Sequence, residues 1–259
     1  MTRISWGTPG RRLYEAGVDR GVLYVNGLSG VPWDGLLGVQ ESPSGGEAKP
    51  YYLDGNKYLN RAASEEFAGT IEAFTSPKEF GLCDGTASIA NGLFIGEQPR
   101  QPFNFVYRTK LGNDIDGLSL GYKLNIVYNA LASPASKNHA SINDSAEANK
   151  LSWSITTTPV FSMGHKASAH FTIDSTKAPA EMISIVENLI YGTMIYEPRL
   201  PLLDELKALF TGFRPREVIL LGDGRYTAEG YMVVDVSPGV FTLEDDYVLD
   251  LGNGKFTID

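Results

Sequence analysis

The chain has one cysteine, Cys83, and three histidines, His139, His165 and His170, in 259 residues. A single cysteine forms no intrachain disulfide, which excludes a disulfide-stapled scaffold and fits a reducing compartment. No histidine lies near Cys83 in sequence to activate the thiol, so it reads as buried and inert. A zinc site has too few ligands: His165 and His170 fall on opposite faces of a strand, and no HExxH occurs. Long hydrophobic runs are missing too. No stretch approaches the roughly 18 uninterrupted apolar residues of a membrane helix. The opening MTRISWGTPGRR has no apolar core, so neither a membrane segment nor a secretory signal is expected. Positive charge is scarce, with 22 Lys and Arg against 31 Asp and Glu and a net charge of −9. Such a chain lacks the phosphate-neutralising surface of an ordinary DNA binder.

Catalytic signatures are equally thin. GLSLG, Gly117 to Gly121, matches G-x-S-x-G, but a nucleophile elbow needs a helix after its serine and Ser119 leads into a strand-like run. LGDGRYTAEG, Leu221 to Gly230, reads as a β turn and lacks the GK[ST] of a phosphate loop. Glu244-Asp245-Asp246 lacks the alternating ligands and turn glycine of a calcium loop and reads as a solvated acidic face. Asn143-Asp144-Ser145 fits a glycosylation sequon but has no secretory signal to give it meaning. A glycosidase needs two carboxylates facing across a cleft, and sequence alone does not pair them. No catalytic residue, metal ligand or cofactor is therefore assigned.

What is present is a β pattern. Hydrophobic residues make up 42%, enough for a sizeable core, and 28 glycines with 14 prolines make the chain turn-rich. Residues 1–20 mix Gly, Pro and charge and read as an N-terminal arm. From Gly21, short apolar runs (Gly21 to Asn26, Val31 to Val39) precede SPSGGEAKP, Ser42 to Pro50, which reads as a long polar turn. In YYLDGNKYL, Asp54-Gly55 is a tight-turn signal. Glu65 to Phe74 alternates: Phe67 and Ile71 share one face, Glu66, Thr70 and Glu72 the other. The residues from Pro77 to Asn91 carry a weaker signal, with room for a short helical turn. Phe103 to Leu111, Leu120 to Tyr128, Leu151 to Thr157 and Ala169 to Ile173 follow as strands.

Two helices interrupt. Pro179 opens one with Met182, Ile183, Val186, Leu189 and Ile190 in a stripe before Gly192; Pro201 opens another with Leu202, Leu203, Leu206, Leu209 and Phe210 before Gly212. Strands return over Glu217 to Leu221, Tyr231 to Val236, Gly239 to Leu243, Tyr247 to Leu251 and Lys255 to Ile258. From Tyr226 to Asp259 there is one base, Lys255, against seven acids. The expected organisation is an arm (1–20), a β domain with two helices (21–212) and a C-terminal β segment (213–259) packed on or continuing that domain.

Particular segments carry a resemblance. YYLDGNKYLNRAASEEFAGTIEAFTSPKEF (Tyr51 to Phe80), NFVYRTKLGND (Asn104 to Asp114) and KLNIVYNALASPASK (Lys123 to Lys137) resemble the major tail proteins of long, non-contractile-tailed bacteriophages, above all those of actinobacterial hosts. INDSAEANKLSWSITTTPV (Ile142 to Val160) and LLGDGRYTAEG (Leu220 to Gly230) extend the likeness over most of the chain from about Leu23. It implies a mainly β fold: a tail-tube-type β-sandwich with flanking α-helices, whose long hairpins form an inner β-barrel on oligomerisation. It further implies a non-enzymatic virion protein, made in the bacterial host cytoplasm, that assembles with itself into stacked hexameric rings. The expected partners are copies of itself and the tail terminator, baseplate or tape measure proteins. The resemblance also implies that genomic DNA passes through the lumen without specific binding. The family has no catalytic residues to carry over.

Within that reading, Glu66, Thr70 and Glu72 are lumen-facing candidates. Glu41, Ser42, Ser44, Gly45, Gly46 and Glu47, in the Gln40 to Lys49 loop, are inter-ring candidates. Trp6, Arg11, Arg12 and Tyr14 are intersubunit arm candidates. The acidic balance suits a protein that surrounds a polyanion and must not hold it. The alternatives are a tail terminator, baseplate hub or related injection-tube module, and a carbohydrate-active hydrolase, which requires a deep pocket with two facing carboxylates.

Overall fold

The computed structural model describes residues 6–25, 29–62, 64–135, 137, 148–162, 164–194 and 196–211. It also describes the strand backbone of 218–220, 226–228, 231–237, 240–243, 246–250 and 256–258. His139, Asn143-Asp144-Ser145 and Glu244-Asp245 lie outside the described residues. The chain forms two compact units, Met1–Leu203 and Asp204–Asp259. The division falls inside the second helix rather than after Gly212.

The strands of the first unit are β1 (Tyr14–Val25), β2 (Val31–Pro32), β3 (Leu36–Glu41), β4 (Ser44–Gly45), β5 (Ala48–Leu53), β6 (Asn56–Ala62), β7 (Glu65–Glu66) and β8 (Ala68–Ala73). A 3-10 turn (Lys78–Phe80) and the four-residue α1 (Gly81–Asp84) follow, then β9 (Ala87–Ala90) and β10 (Leu93–Ile95). After these come β11 (Phe103–Asn113), β12 (Gly117–Ala132), β13 (Leu151–Thr157), β14 (Val160–Ser162), β15 (His165–Ser168), β16 (His170–Asp174) and helix α2 (Ala180–Tyr191). The main sheet is eight-stranded and antiparallel, in the order β2-β1-β11-β12-β13-β8-β3, with β16 also paired to β12.

The sheet forks at β12. Lys123 to Val127 pair with β16, and Ala130 to Ala132 pair with β13. Asn129 sits between the two stretches with φ 47°, a left-handed conformation that asparagine tolerates better than most residues. Its backbone N–H donates to Asn104 Oδ1 at 2.9 Å, and its carbonyl accepts from Thr158 N–H at 3.1 Å. The far end of the sheet curls back: Trp33 N–H donates to Gly21 O at 2.8 Å. A Cβ on Gly21 would lie 2.9 Å from Leu36 Cδ2 and 3.2 Å from Trp33 Cβ, so β1 runs close against Trp33 and Leu36 here.

Both faces of the sheet's centre are buried, which is why Val22–Val25 and Leu124–Tyr128 are continuously apolar or aromatic apart from the buried Asn125 rather than alternating. The inner face packs Leu23, Phe103, Phe105, Tyr107, Val127, Trp153 and Ile155 around Trp33 and Phe80. Trp33 makes tilted or edge contacts with Phe80, Phe105 and Trp153 at centroid distances of 4.7, 5.4 and 5.8 Å. On the other face Tyr24 donates to the Ile190 carbonyl, and Arg20 lies over the Tyr191 ring of α2. Met182, Ile183, Val186 and Ile190 of the expected stripe are buried. Asp19, on the same face of β1, takes a bidentate pair from Arg108 at 2.7 and 2.8 Å. That hydrogen bonding holds its carboxyl below the usual aspartate range.

The second unit contains the rest of helix α3 (Leu203–Phe210) and a six-stranded antiparallel meander, β17 (Val218–Leu220), β18 (Tyr226–Ala228), β19 (Tyr231–Ser237), β20 (Val240–Leu243), β21 (Asp246–Asp250) and β22 (Phe256–Ile258). Strand β18 stands inside the segment read as a turn, with Tyr226 to Ala228 lying between Gly224 and Gly230 in sequence. The mainly β class therefore holds.

Three local expectations change. Tyr14 to Arg20, read as arm, are the first part of β1 and pair with β11 from Tyr14↔Gly112 to Asp19↔Arg108. Ser42 to Pro50, read as a long polar turn, is ladder: β4 pairs with β7, and β5 begins at Ala48. Their low apolar content hid them, since the strands they form are exposed. The weak segment after Pro77 holds the expected helical turn as α1, but continues as the β9–β10 hairpin.

Candidate assembly interface

Strands β3 to β8 pair as three successive antiparallel ladders of one hairpin. At its base Leu36↔Ala73 through Glu41↔Gly69 pair within the main sheet. Beyond it Ser44↔Glu66 and Gly45↔Glu65 pair, then Ala48↔Ala62 through Leu53↔Asn56. The tip is the Asp54-Gly55 turn, with φ 50° and 81°, the double left-handed geometry a two-residue hairpin requires. All of β5 is exposed, and Tyr51, Tyr52, Leu53, Tyr58 and Leu59 are exposed large side chains. A free two-stranded ribbon is marginal in water by itself, so this one projects a surface that calls for a neighbour.

The root is fastened where the ribbon leaves the sheet. Tyr107 Oη donates to Glu41 Oε1 at 2.6 Å, Thr157 Oγ1 to Phe67 O at 2.7 Å, and Ser42 N–H to Ala68 O at 2.8 Å. Burial, then the Glu41 hydrogen bond, pushes the Tyr107 phenol well above its usual range. Phe67 stacks on the His170 imidazole with ring centroids 4.4 Å apart. His170 Nε2 is buried without a hydrogen bond, and Glu41 Oε1 is 3.9 Å away, too far for one.

Burial pulls His170 below its usual pKa, with Glu41 opposing. The unfolded chain therefore takes up a proton that the folded one resists. Stability contributed by His170 is full above about pH 6.5 and falls as the pH drops from there toward the lowered folded value. Chemical denaturation is expected to show this loss, at no more than about 1.4 kcal/mol per pH unit for one proton, and His170→Phe should remove that component. An identical pH slope in the variant contradicts the assignment.

The structure brings the lumen and inter-ring candidates together on this one hairpin. Glu66 is in β7, opposite Ser44; Thr70 and Glu72 are in β8, opposite Gln40 and Gly38 on one side and Ser154 and Ser152 on the other. Glu72 is exposed and Thr70 half-buried, on the face turned away from Ile71 and Trp153. Glu41 ends β3, Ser42 bonds Ala68, Ser44 and Gly45 form β4, and Gly46 and Glu47 lead into β5. The arm candidates stand apart from it. Trp6 is exposed, and Arg11 N–H closes a turn onto Thr8 O. Arg12 lies 3.9 Å from Asp114, beside the Gly10 N–H to Asp114 bond, and Tyr14 begins β1.

Sequence reasoning located the tip turn but not the ribbon around it. The available signal was the pair of polar-aromatic runs flanking Asp54-Gly55. The β9–β10 hairpin was also missed; it exposes Ile89, Leu93, Phe94 and Ile95.

Elsewhere the chemistry is sparse. Ser119 is exposed within β12, with its N–H on Asp116 O in a turn. Cys83 is buried, and that burial pushes its thiol up to about 12. Among the described residues no cluster of His, Cys, Asp or Glu is arranged to hold a metal, and no helix is long and apolar enough to cross a membrane. An open groove of about 540 Å³ between β11–β12 and α2 carries one carboxylate, Glu187, rather than a facing pair.

No family model and no curated protein matches the chain. Among solved structures it is similar to a chain of the anti-feeding prophage baseplate, at 11% identity and TM-score 0.35, covering 67% of this chain and 99% of that one. It is also similar to a chain of the sheath-tube complex of the PVC extracellular contractile injection system (14%, TM-score 0.30, covering 66% and 94%). A third is the tube-terminating cap of the anti-feeding prophage (12%, TM-score 0.30, covering 68% and 96%). Similarity at that level establishes neither a shared fold nor a shared function.

Proposed function

We propose that the chain is a structural subunit of a bacteriophage tail tube, assembling with copies of itself into stacked, hexameric rings. The hairpin of three ladders between Leu36 and Ala73, anchored in the sheet at one end and exposed at the other, carries this reading. Ribbons from neighbouring copies pair edge to edge, and closing them into a barrel removes the free strand edges that otherwise invite uncontrolled aggregation. The sequence resemblance supports the same role.

The lumen wall in this arrangement is the outer face of β3, β8 and β13. That face carries Gln40, Thr70, Glu72, Ser152, Ser154 and Thr156, one carboxylate with hydroxyls and an amide, and Glu66 of β7 lies farther along the same hairpin. A wall of that kind repels or ignores a passing polyanion. Terminator, baseplate or tape measure proteins meet the ends and interior of the same tube, and the mature location is the virion tail.

Negative-stain electron microscopy of the purified chain over a concentration series tests the reading. Hollow tubes of uniform width are expected. Single rings that never stack would reassign the chain to a terminator, and compact monomers at every concentration contradict assembly.

A further inference from the structure

Four segments converge where the ribbon leaves the sheet: Glu41 closes β3, Phe67 stands between β7 and β8, Tyr107 lies in β11 and His170 opens β16. The Phe67 ring covers one face of the imidazole, tilted only 26° from it. Strand β12 lies beside His170 through the Val127↔His170 pair. The charged group that acts on the imidazole is Glu41, and Tyr107 reaches it through the same carboxylate. Glu66, next to Phe67 in sequence, is exposed opposite Ser44, and His165 and Lys166 of β15 are exposed as well.

His170 Nε2 is therefore buried and unpaired while a partly exposed carboxylate oxygen stands 3.9 Å away. A buried polar atom without a partner is an exception that calls for a reason. The neutral ring has one N–H to give and the protonated ring two. Glu41 Oε1 accepts from Tyr107, and a carboxylate oxygen has room for a second donor.

We propose that His170 and Glu41 form a proton-operated latch at the root of the ribbon. With the ring neutral, the Glu41 side chain ties the end of β3 to β11 through Tyr107. With the ring protonated from solvent, Nε2–H donates to Glu41 Oε1 after a closing movement of about 1 Å, and the same carboxylate also ties β3 to β16. Burial opposes the charge, so the latch closes on the acid side of neutrality. A root held from two strands has less freedom to lose when ribbons of neighbouring copies pair, so mild acid lowers the concentration at which copies associate. That consequence rests on the tube reading; the latch itself belongs to the single chain.

Nuclear magnetic resonance on the free chain tests the latch, with Glu41→Gln, which keeps an acceptor for Tyr107, and His170→Phe, which keeps the stack on Phe67. The starting protein is expected to bind the His170 proton at least about threefold more tightly than Glu41→Gln. On protonation the Ser42 amide, bonded to Ala68 O, should gain at least about threefold in protection beyond its intrinsic rate change, and gain none in either variant. Equal proton affinities overturn the inference. A difference in affinity without the gain in protection also overturns it, leaving a charge contact that closes nothing. Melting temperatures within a few degrees at about pH 7.5, where the ring is neutral, show that all three chains are folded.

Assembly is then measured at both ends of the titration. Between about pH 7.5 and about pH 5 the concentration needed for association should fall at least about threefold more in the starting protein than in either variant. Loss of net negative charge acts on all three alike, so the difference between them is the readout. Parallel curves overturn the coupling of the latch to assembly. A chain that shows the latch and stays monomeric at every concentration keeps the latch and overturns the tube.

Discussion

Replacing residues 48–62 by a two-residue Asn-Gly turn is expected to abolish assembly at every accessible concentration while leaving a folded, soluble monomer. Among the described side chains none of the excised stretch belongs to the buried core, whose nearest members are Ile71 and Ala73 in β8. The root contacts of Glu41 to Tyr107 and of Thr157 to Phe67 lie outside the excision. The monomer should therefore keep its melting temperature within a few degrees, because surface changes away from packed features alter stability by about 0.5 kcal/mol or less. Sedimentation velocity and electron microscopy provide the readouts. Tubes of normal width from the shortened chain would place the assembly surface elsewhere, with the exposed β9–β10 hairpin the next surface to alter.

Trp33→Ala is expected to cost about 3–5 kcal/mol, the range for removing a large buried aromatic side chain. Trp33 touches Phe80, Phe105 and Trp153, and its indole N–H donates to Thr75 O at 2.9 Å. The substitution leaves a cavity at the centre of the curled sheet and an unpaired carbonyl where β8 ends. Trp33→Phe keeps part of the packing and loses the hydrogen bond, so it should fall between the two, and urea unfolding of both variants measures the gap. A loss under about 1 kcal/mol for the alanine variant contradicts the description of Trp33 as the hub of the inner core.

The two substitutions mark what the sequence shows and what it hides. Strands with a buried face were legible: Phe103, Phe105 and Tyr107 alternate because one side meets the core, and α2 shows its stripe because four of its residues are buried under it. The ribbon was not legible as strand because neither of its faces is buried within one chain, so burial imposes no period of two on Ala48 to Ala62. Polar residues and glycines there resemble a loop until the partner ladder is known. Only Asp54-Gly55 signalled the hairpin, since its turn geometry is local. Tyr14 to Arg20 were hidden for the same reason, being mostly exposed strand. The convergence of Glu41, Phe67, Tyr107 and His170 at the root joins residues far apart in sequence and has no local signature.

Hydrogen exchange read by mass spectrometry on the free chain and on the assembled form tests the central claim most directly. In the monomer the outward amides of β5 and β6 face water, and peptides covering 48–62 should exchange within seconds. On assembly the account predicts protection of those peptides lasting hours, approaching that of β8, with little change in β1 or α2. Assemblies in which 48–62 still exchange as fast as in the monomer would contradict it, because no neighbouring strand would then be paired with the ribbon.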